Sequence, residues 1–324
     1  MNNKNKVWIT WETQRRSFEL AKILNCKFYL YEYGSVLRYP KSIINTLKVF
    51  ADKSMDIIFV QNPSMVLATV ACIYKTISKK RVIVDRHTTF RLDKKNNYGL
   101  ENLIFRMLHY FTIRKADLTI VTNSFLANIV KQMGGKAYVL PDKLPDLLQT
   151  ENIKLNNGFN VLLVSSYGED EPIDEALKAA EMIKRDGVTL YISGNCNKLK
   201  DTIKQSAPAN VVFTGYLNDN DYINLVFAVD AIMALTTANC CMLCGCYEAV
   251  AASKPLITSQ KEVLQNYFKG SIFVDNTSEG IVTGIKELMI NYEQYENNAE
   301  KLKANIEKEW QYDFNKLKEL IMTL

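Results

Sequence analysis

The chain has 324 residues, 48% of them hydrophobic, enough for two domains with sizeable cores. The longest apolar run, Met65 to Tyr74, is half of the about 20 residues that a membrane-spanning helix needs. The seven cysteines lack the spacing of a disulfide framework, which points to free thiols in a reducing cytoplasm. Residues 1–150 hold 24 Lys and Arg against 11 Asp and Glu, and the rest hold 16 against 24. A basic half joined to an acidic half assigns any anionic partner to the first: nucleic acid, an anionic bilayer or a lipid phosphate. The competing reading is that these charges are simply solvated.

The opening "MNNKNKVWIT" has a polar head and then enters a strand, unlike a signal peptide. Short β-rich runs then alternate with helical patterns. "KVWIT" precedes "RSFELAKIL", "DIIFVQ" precedes "SMVLATVACIYKTI", and "RVIVDRH" precedes a polar loop and "LENLIFRMLHYFTIRKA". "DLTIVT" precedes "SFLANIVKQM", and "AYVLP" follows. Such alternation implies right-handed crossovers and a parallel sheet. Asp142 to Gly158 has turn signals and no steady period. A second alternation runs through "FNVLLVSS", "PIDEALKAAEMIKRDG", "VTLYISG", "NVVFTG", "AIMALTT", a helix from near Gly245, "KPLITS" and "SIFV". The final stretch reads as helix, "NYEQYENNAEKLKANIEKEW" and then "DFNKLKELIMTL". The expected fold class is α/β, with two doubly wound domains in tandem: residues 1–145, a linker at 146–158, residues 159–295, and C-terminal helices at 296–324 that could return to the first domain. Ligands of such sheets sit beyond the carboxyl ends of the strands. With two domains, those ends are expected to face each other across one cleft.

The segment "TTANCCMLCGCYEAVAASKPLITS" holds Cys240, Cys241, Cys244 and Cys246 in a loop and helix start. Unpaired N–H groups at that helix start, around Gly245, suit a diphosphate. Glu248 lies about one turn in and could accept two hydrogen bonds from ribose hydroxyls. A solvated surface Glu is the bland reading. Four thiols on one short segment are poorly arranged for tetrahedral zinc. They read as small, loosely buried residues, with reversible oxidation as the other option, since a helix N-terminus lowers a thiol pKa. No metal site is expected.

His87 and Asp85, in "VIVDRHTTF", follow a buried strand, where one could take an acceptor proton while the other orients it; a structural His and a turn-capping Asp are the alternative. His109 sits on a mostly apolar helix and reads as structural. Arg15 and Arg16 precede the first helix, with Ser17 as the expected N-cap, and suit an acceptor diphosphate. Gln61 and Asn62 end the second predicted strand and could bind acceptor hydroxyls or close a turn before Pro63.

These residues resemble a family. The strand, small-residue loop and "YEAVAASKPLITS" are similar to the donor element of GT-B glycosyltransferases, especially glycosyltransferase family 4. That family carries two glutamates eight positions apart. Glu248 matches the second, and Cys240 stands at the first. The usual Gly-rich loop is replaced by "WITWETQRRS", and the usual Arg and Lys of the second domain by "SSYGEDEP". "FVQNPSMVLATVA", "VIVDRHTTF", "DLTIVTNSFLANIV", "LPDKLPD", "LLVSSYGEDEP" and "VVFTGYLNDNDY" together resemble the dolichol-pathway β-mannosyltransferase family. That resemblance implies a UDP- or GDP-linked sugar as cosubstrate, with no resident cofactor. It implies donor contacts at Ser166, Tyr167, Gly194, Tyr216, Leu217, Gly245, Tyr247 and Glu248, with Lys143 neutralising the leaving diphosphate. It also implies a lipid-linked or glycan acceptor at the cytoplasmic face of an anionic membrane, without nucleic acid, in cell-surface glycan synthesis. Two alternatives stay open: a sugar-nucleotide epimerase, and a non-catalytic GT-B subunit supporting a partner transferase.

Overall fold

The protein is described from a computed structural model, covering residues 4–34, 38–62, 64–87 and 99–324. It divides into two compact units. One comprises the chain up to Lys143 together with Trp310–Leu324, and the other is Leu144–Glu309.

The first unit runs β1 (Lys6–Thr10), α1 (Arg15–Ile23), β2 (Lys27–Leu30), α2 (Arg38–Phe50), β3 (Ile57–Asn62), α3 (Met65–Ile77), β4 (Arg81–Arg86), α4 (Leu100–Lys115), β5 (Leu118–Val121), α5 (Ser124–Gln132) and β6 (Ala137–Val139). Its six strands are parallel, in the order β2-β1-β3-β4-β5-β6. Continuous apolar strands form because both faces are covered by helices. In β3, Ile57 and Phe59 point to one core with Trp8, Leu20 and Ile83, whereas Ile58 and Val60 point to the other with Val49, Leu67 and Val82. Trp310, Phe314, Leu317 and Ile321 complete the first of these cores. Trp310 Nε1 donates to the Pro141 carbonyl at 3.0 Å, and the Tyr138 hydroxyl donates to the Asp313 carbonyl at 2.7 Å.

The second unit runs β7 (Phe159–Leu163), α6 (Ile173–Met182), β8 (Val188–Ser193), α7 (Asp201–Gln205), β9 (Val211–Gly215), α8 (Asp219–Ala228), β10 (Ala231–Ala234), α9 (Cys244–Ala251), β11 (Leu256–Ser259), α10 (Glu262–Tyr267), β12 (Ile272–Val274), α11 (Ser278–Ile290) and the start of α12 (Tyr292–Thr323). The strands are again parallel, ordered β12-β11-β10-β7-β8-β9. The chain therefore reverses direction between β1 and β3 in one sheet and between β7 and β10 in the other. The crevices where a doubly wound sheet takes ligands lie at those reversals.

The α/β architecture expected from the sequence is the one observed. Two elements of the first unit went unread. β2 is a four-residue, half-exposed edge strand, and α2 carries Pro40, which a helix tolerates only because it falls in the first turn. The tail is one 32-residue helix rather than two. Residues 144–158 are grouped with the second unit: Leu144 is buried in its core, and the Thr150 and Glu151 amides donate to Asn224 Oδ1 at 2.9 and 3.1 Å.

The basic excess also acquires a location. Helices α1 to α5 all carry cations in their last turn: Lys22, Lys48, Lys75, Arg114, Lys115 and Lys131. There they complement the negative end of each helix dipole. Six of the 24 cations of residues 1–150 thus sit where the strands begin, away from the carboxyl ends.

Candidate active site

In the first unit, α1 and the ends of β3 and β4 build a charged cluster. Asp85, fully buried in β4, accepts from Arg16 Nε at 3.0 and 3.1 Å and from Arg16 Nη2 at 2.9 Å. Arg16 spends its remaining donors on Asp142 Oδ1, at 2.7 Å, and the Leu140 carbonyl, at 3.0 Å. Burial alone would push the Asp85 carboxyl up. The Arg16 guanidinium and the nearby His87 outweigh it and hold the carboxyl below its ordinary value. His87, two residues further on, is partly buried, with Nδ1 3.8 Å from Asp85 Oδ2.

This corrects several expectations. Arg16 is 7% exposed and locked in the interior, so it is not an acceptor-facing cation. Arg15 is more exposed and pairs with Glu19 at 3.6 Å. Ser17 is buried within α1, and the N-cap is Gln14. Asp85 cannot meet a substrate, because it is enclosed and its oxygens are held by Arg16. Gln61 and Asn62 end the third strand, not the second, and both are buried. Gln61 Oε1 accepts from the Thr10 hydroxyl, and Asn62 Nδ2 approaches Met65 Sδ at 3.7 Å. Pro63 and the part of the motif after His87 lie outside the described residues. His109 is structural as expected: its Nδ1 lies 2.5 Å from Arg86 Nη1. Burial, then the Arg86 charge, lowers its pKa to about 3, so it is neutral and accepts this bond.

Arg86 itself went unread. It is buried, reaches His109 and Thr112, and among the described residues its Nε has no hydrogen-bond partner. Burial pulls its pKa down to about 10. Its neighbours Gln61 Nε2, Asn62 Oδ1 and His87 Nδ1 are likewise buried polar atoms without a hydrogen-bond partner among the described residues. Unsatisfied groups at the carboxyl ends of β3 and β4 mark a place that strand packing does not explain.

In the second unit, the loops after β7 and β10 flank the reversal. After β7, one carboxylate organises the chain. Glu171 accepts from the Ser165 hydroxyl at 2.5 Å, the Ser166 amide at 3.0 Å, the Ser166 hydroxyl at 2.7 Å and the Tyr167 amide at 2.9 Å. Tyr167 takes the left-handed conformation, φ +56°, to close this loop. The donors expected at Ser166 and Tyr167 are therefore already engaged by Glu171. The acid-rich "GEDEP" following two serines was the available signal. Asp170 accepts from the Thr236 hydroxyl at 2.5 Å and, through its carbonyl, from the Thr237 amide at 2.7 Å. That ties the β7 loop to the β10 loop. Gly194, at φ +97°, is required by close approach: a Cβ there would lie 2.1 Å from the Ser165 carbonyl oxygen.

The donor element after β10 is partly as expected. Helix α9 begins at Cys244 with no side-chain cap and no acid in its first turn, and the Cys246 amide donates to the Leu243 carbonyl at 3.1 Å. Gly245 is required by packing, since a Cβ would meet Val164 at 2.8 Å and Ala234 at 3.1 Å. Tyr247 is fully buried, edge-on to Phe268 at 5.3 Å, and is a core residue rather than a ligand contact. Glu248 is half-buried and accepts from the Tyr222 hydroxyl at 2.5 Å. Tyr222, from α8, went unread because nothing in sequence links α8 to α9. Tyr216 projects into solvent at 84% exposure, Leu217 packs on the core edge, and Lys143 is half-buried at the end of the first unit.

Cys240 and Cys246 are buried, whereas Cys241 and Cys244 are exposed. Partial burial of the sulfur, then Asp170 and the neighbouring thiols, push Cys241 up to about 11, and burial pushes Cys246 up to about 12. The lowered thiol pKa expected at this helix start is reversed for these two. Among the described residues, no three His, Cys, Asp or Glu side chains come together as a metal-binding group.

Residues 149–308 match the family described as glycosyl transferases group 1. Curated protein sequences yield no match. Among solved structures, the chain is similar to HepE of Anabaena in complex with UDP and glucose: TM-score 0.74, 14% identity, 98% of this chain and 92% of that one. It is similar to sucrose-phosphate synthase from Thermosynechococcus elongatus at TM-score 0.76 and 11% identity over 99% of both chains. A glycosyltransferase from Rickettsia africae aligns at TM-score 0.69 and 12% identity over 98% of this chain and 89% of that one. The two doubly wound sheets are thus a GT-B fold, and the match to the glycosyl transferases group 1 family spans most of the second unit.

Proposed function

We propose that the protein transfers a sugar from a UDP- or GDP-linked donor to a lipid-linked or polysaccharide acceptor, at the cytoplasmic face of a membrane, in cell-surface glycan synthesis. The observation that carries this reading is Glu248, held by Tyr222 one turn into an uncapped helix within the group 1 domain. The amides at the start of α9 take the donor diphosphate, and Glu248 accepts hydrogen bonds from the ribose hydroxyls. Lys143 neutralises the departing diphosphate, so that in this reading no metal is required. His87 takes the proton of the acceptor hydroxyl. Asp85, fixed by Arg16, stays ionised and steadies the imidazolium that forms. Asp85 is thus a positioning residue and His87 the catalytic one.

Thermal-shift measurements with UDP, GDP, CDP and their sugars test the donor half, followed by transfer to a lipid-linked acceptor. Protection by one nucleotide family, with product only when acceptor is present, is expected. No shift with any nucleotide would overturn the reading in favour of a non-catalytic subunit, and turnover without acceptor would favour an epimerase.

A further inference from the structure

Helix α4 is apolar on two opposite faces: one is packed in the core, and the other is exposed over its first three turns, up to Tyr110, before Phe111 on that same side enters the core. Ile113 packs in a core with Val121, Leu126 and Val130, and His109 and Thr112 are buried beside it. Leu100, Leu103, Ile104, Met107 and Tyr110 are between 44% and 72% exposed. At about 100° per residue these five fall within an arc of about 120°, on the side away from the sheet. Single exposed apolar residues are ordinary, but a continuous stripe along a helix marks an interaction surface.

Charge identifies the occupant. On the same helical wheel, exposed Arg106 borders one edge of the stripe and exposed Lys115 the other. Exposed Arg114 ends the stripe from within its arc: it lies over the Tyr110 ring at 4.4 Å and its Nε donates to the Met133 carbonyl at 3.0 Å. These cations and the single acid Glu101 leave the helix positive, in a half of the chain with 24 Lys and Arg against 11 Asp and Glu. An apolar stripe with cations along both borders fits a helix lying in the plane of an anionic bilayer, its side chains at the level of the acyl boundary. No described helix is long and apolar enough to cross a membrane, so docking along a face is the available mode.

We infer that α4 is the membrane-docking element and that its partner is an anionic lipid surface. This rests on the membrane-facing part of the proposed function. The test is sedimentation of the full chain with vesicles of phosphatidylcholine alone or mixed with phosphatidylglycerol. Binding to the anionic vesicles, weakened by salt, is expected. Leu103→Glu with Met107→Glu should lower that partition about tenfold or more. Arg106→Glu with Lys115→Glu should lower it about thirtyfold or more on anionic vesicles only, since two surface cations are lost and two anions gained. Tryptophan emission checks that both variants stay folded. Absence of binding to anionic vesicles overturns the inference. So does a dimer that Leu103→Glu with Met107→Glu converts to monomer while vesicle binding is unchanged, which would make a second copy the occupant. Nucleotide protection is read separately: its loss with vesicle binding intact defeats the transferase reading and leaves the docking element standing.

Discussion

Replacing Asp85 with Asn keeps the shape of the strand end and removes one charge. In the wild type, Arg16 is 7% exposed, with three contacts of 2.9–3.1 Å to Asp85 and one of 2.7 Å to Asp142. Breaking a buried ion pair from one side costs about 3–5 kcal/mol, because the remaining charge stays buried. Asp142 still faces Arg16, so the lower end applies, about 3 kcal/mol. For a unit of this size that is a fall of about 6–12 °C in Tm. All three tryptophans, Trp8, Trp11 and Trp310, belong to the first unit, so their emission follows its unfolding alone. The pH dependence has a definite sign. The folded carboxyl is depressed, so its contribution is fully present above the unfolded value of about 4 and is lost as pH falls through the folded value. The gap between wild type and Asp85→Asn should therefore be constant near neutrality and close below about pH 4. A gap under about 1 kcal/mol at pH 7, or one undiminished in acid, would refute the buried-pair argument.

Catalysis gives a second readout at the same place: His87→Ala should lower kcat by about 10²–10⁴ while donor affinity is kept, measured by steady-state transfer. Retention of half the activity would place the base elsewhere. Calorimetry should find donor binding weakened about tenfold to a hundredfold in Glu248→Ala, with Glu248→Gln in between. Glu171→Ala should speed hydrogen exchange at the Ser166 and Tyr167 amides by about tenfold or more, as a charge-assisted brace of about 1.5–3 kcal/mol is removed; unchanged exchange would show that the loop holds itself. Alkylation of Cys241 should be slow at pH 7 and rise about tenfold per pH unit towards its value of about 11, while Cys246 stays unreactive. Rapid labelling of Cys241 at neutral pH would contradict its surroundings.

Period carried the fold in the sequence. Strands such as "IIFVQN" and "RVIVDR", buried at every position but Arg81, read from their apolar stretches, whereas "KFYL" is short and half-exposed. The position of Glu248 on an early helical turn was legible because strand, loop and helix follow one another locally. Its partner Tyr222 lies on another helix, and no local pattern links them. The same limit explains Arg16. A pair of arginines before a helix looks solvent-directed until Asp85, 69 positions away, is folded against one of them. Tyr247 and Glu248 are adjacent, yet only the helical rotation decides that one enters the core and the other does not.

Completion of the first core by Trp310, Phe314, Leu317 and Ile321 sets an order of events during synthesis. The strands of that unit leave the ribosome before residue 144, but the helix that covers Trp8 and Leu140 is made only after the whole second unit. A nascent chain therefore carries an uncovered apolar face for the time needed to translate Leu144–Glu309. A fragment ending at Lys143 would keep that face uncovered, and a fusion or stop codon placed before Trp310 would damage the half of the protein farthest from it in sequence.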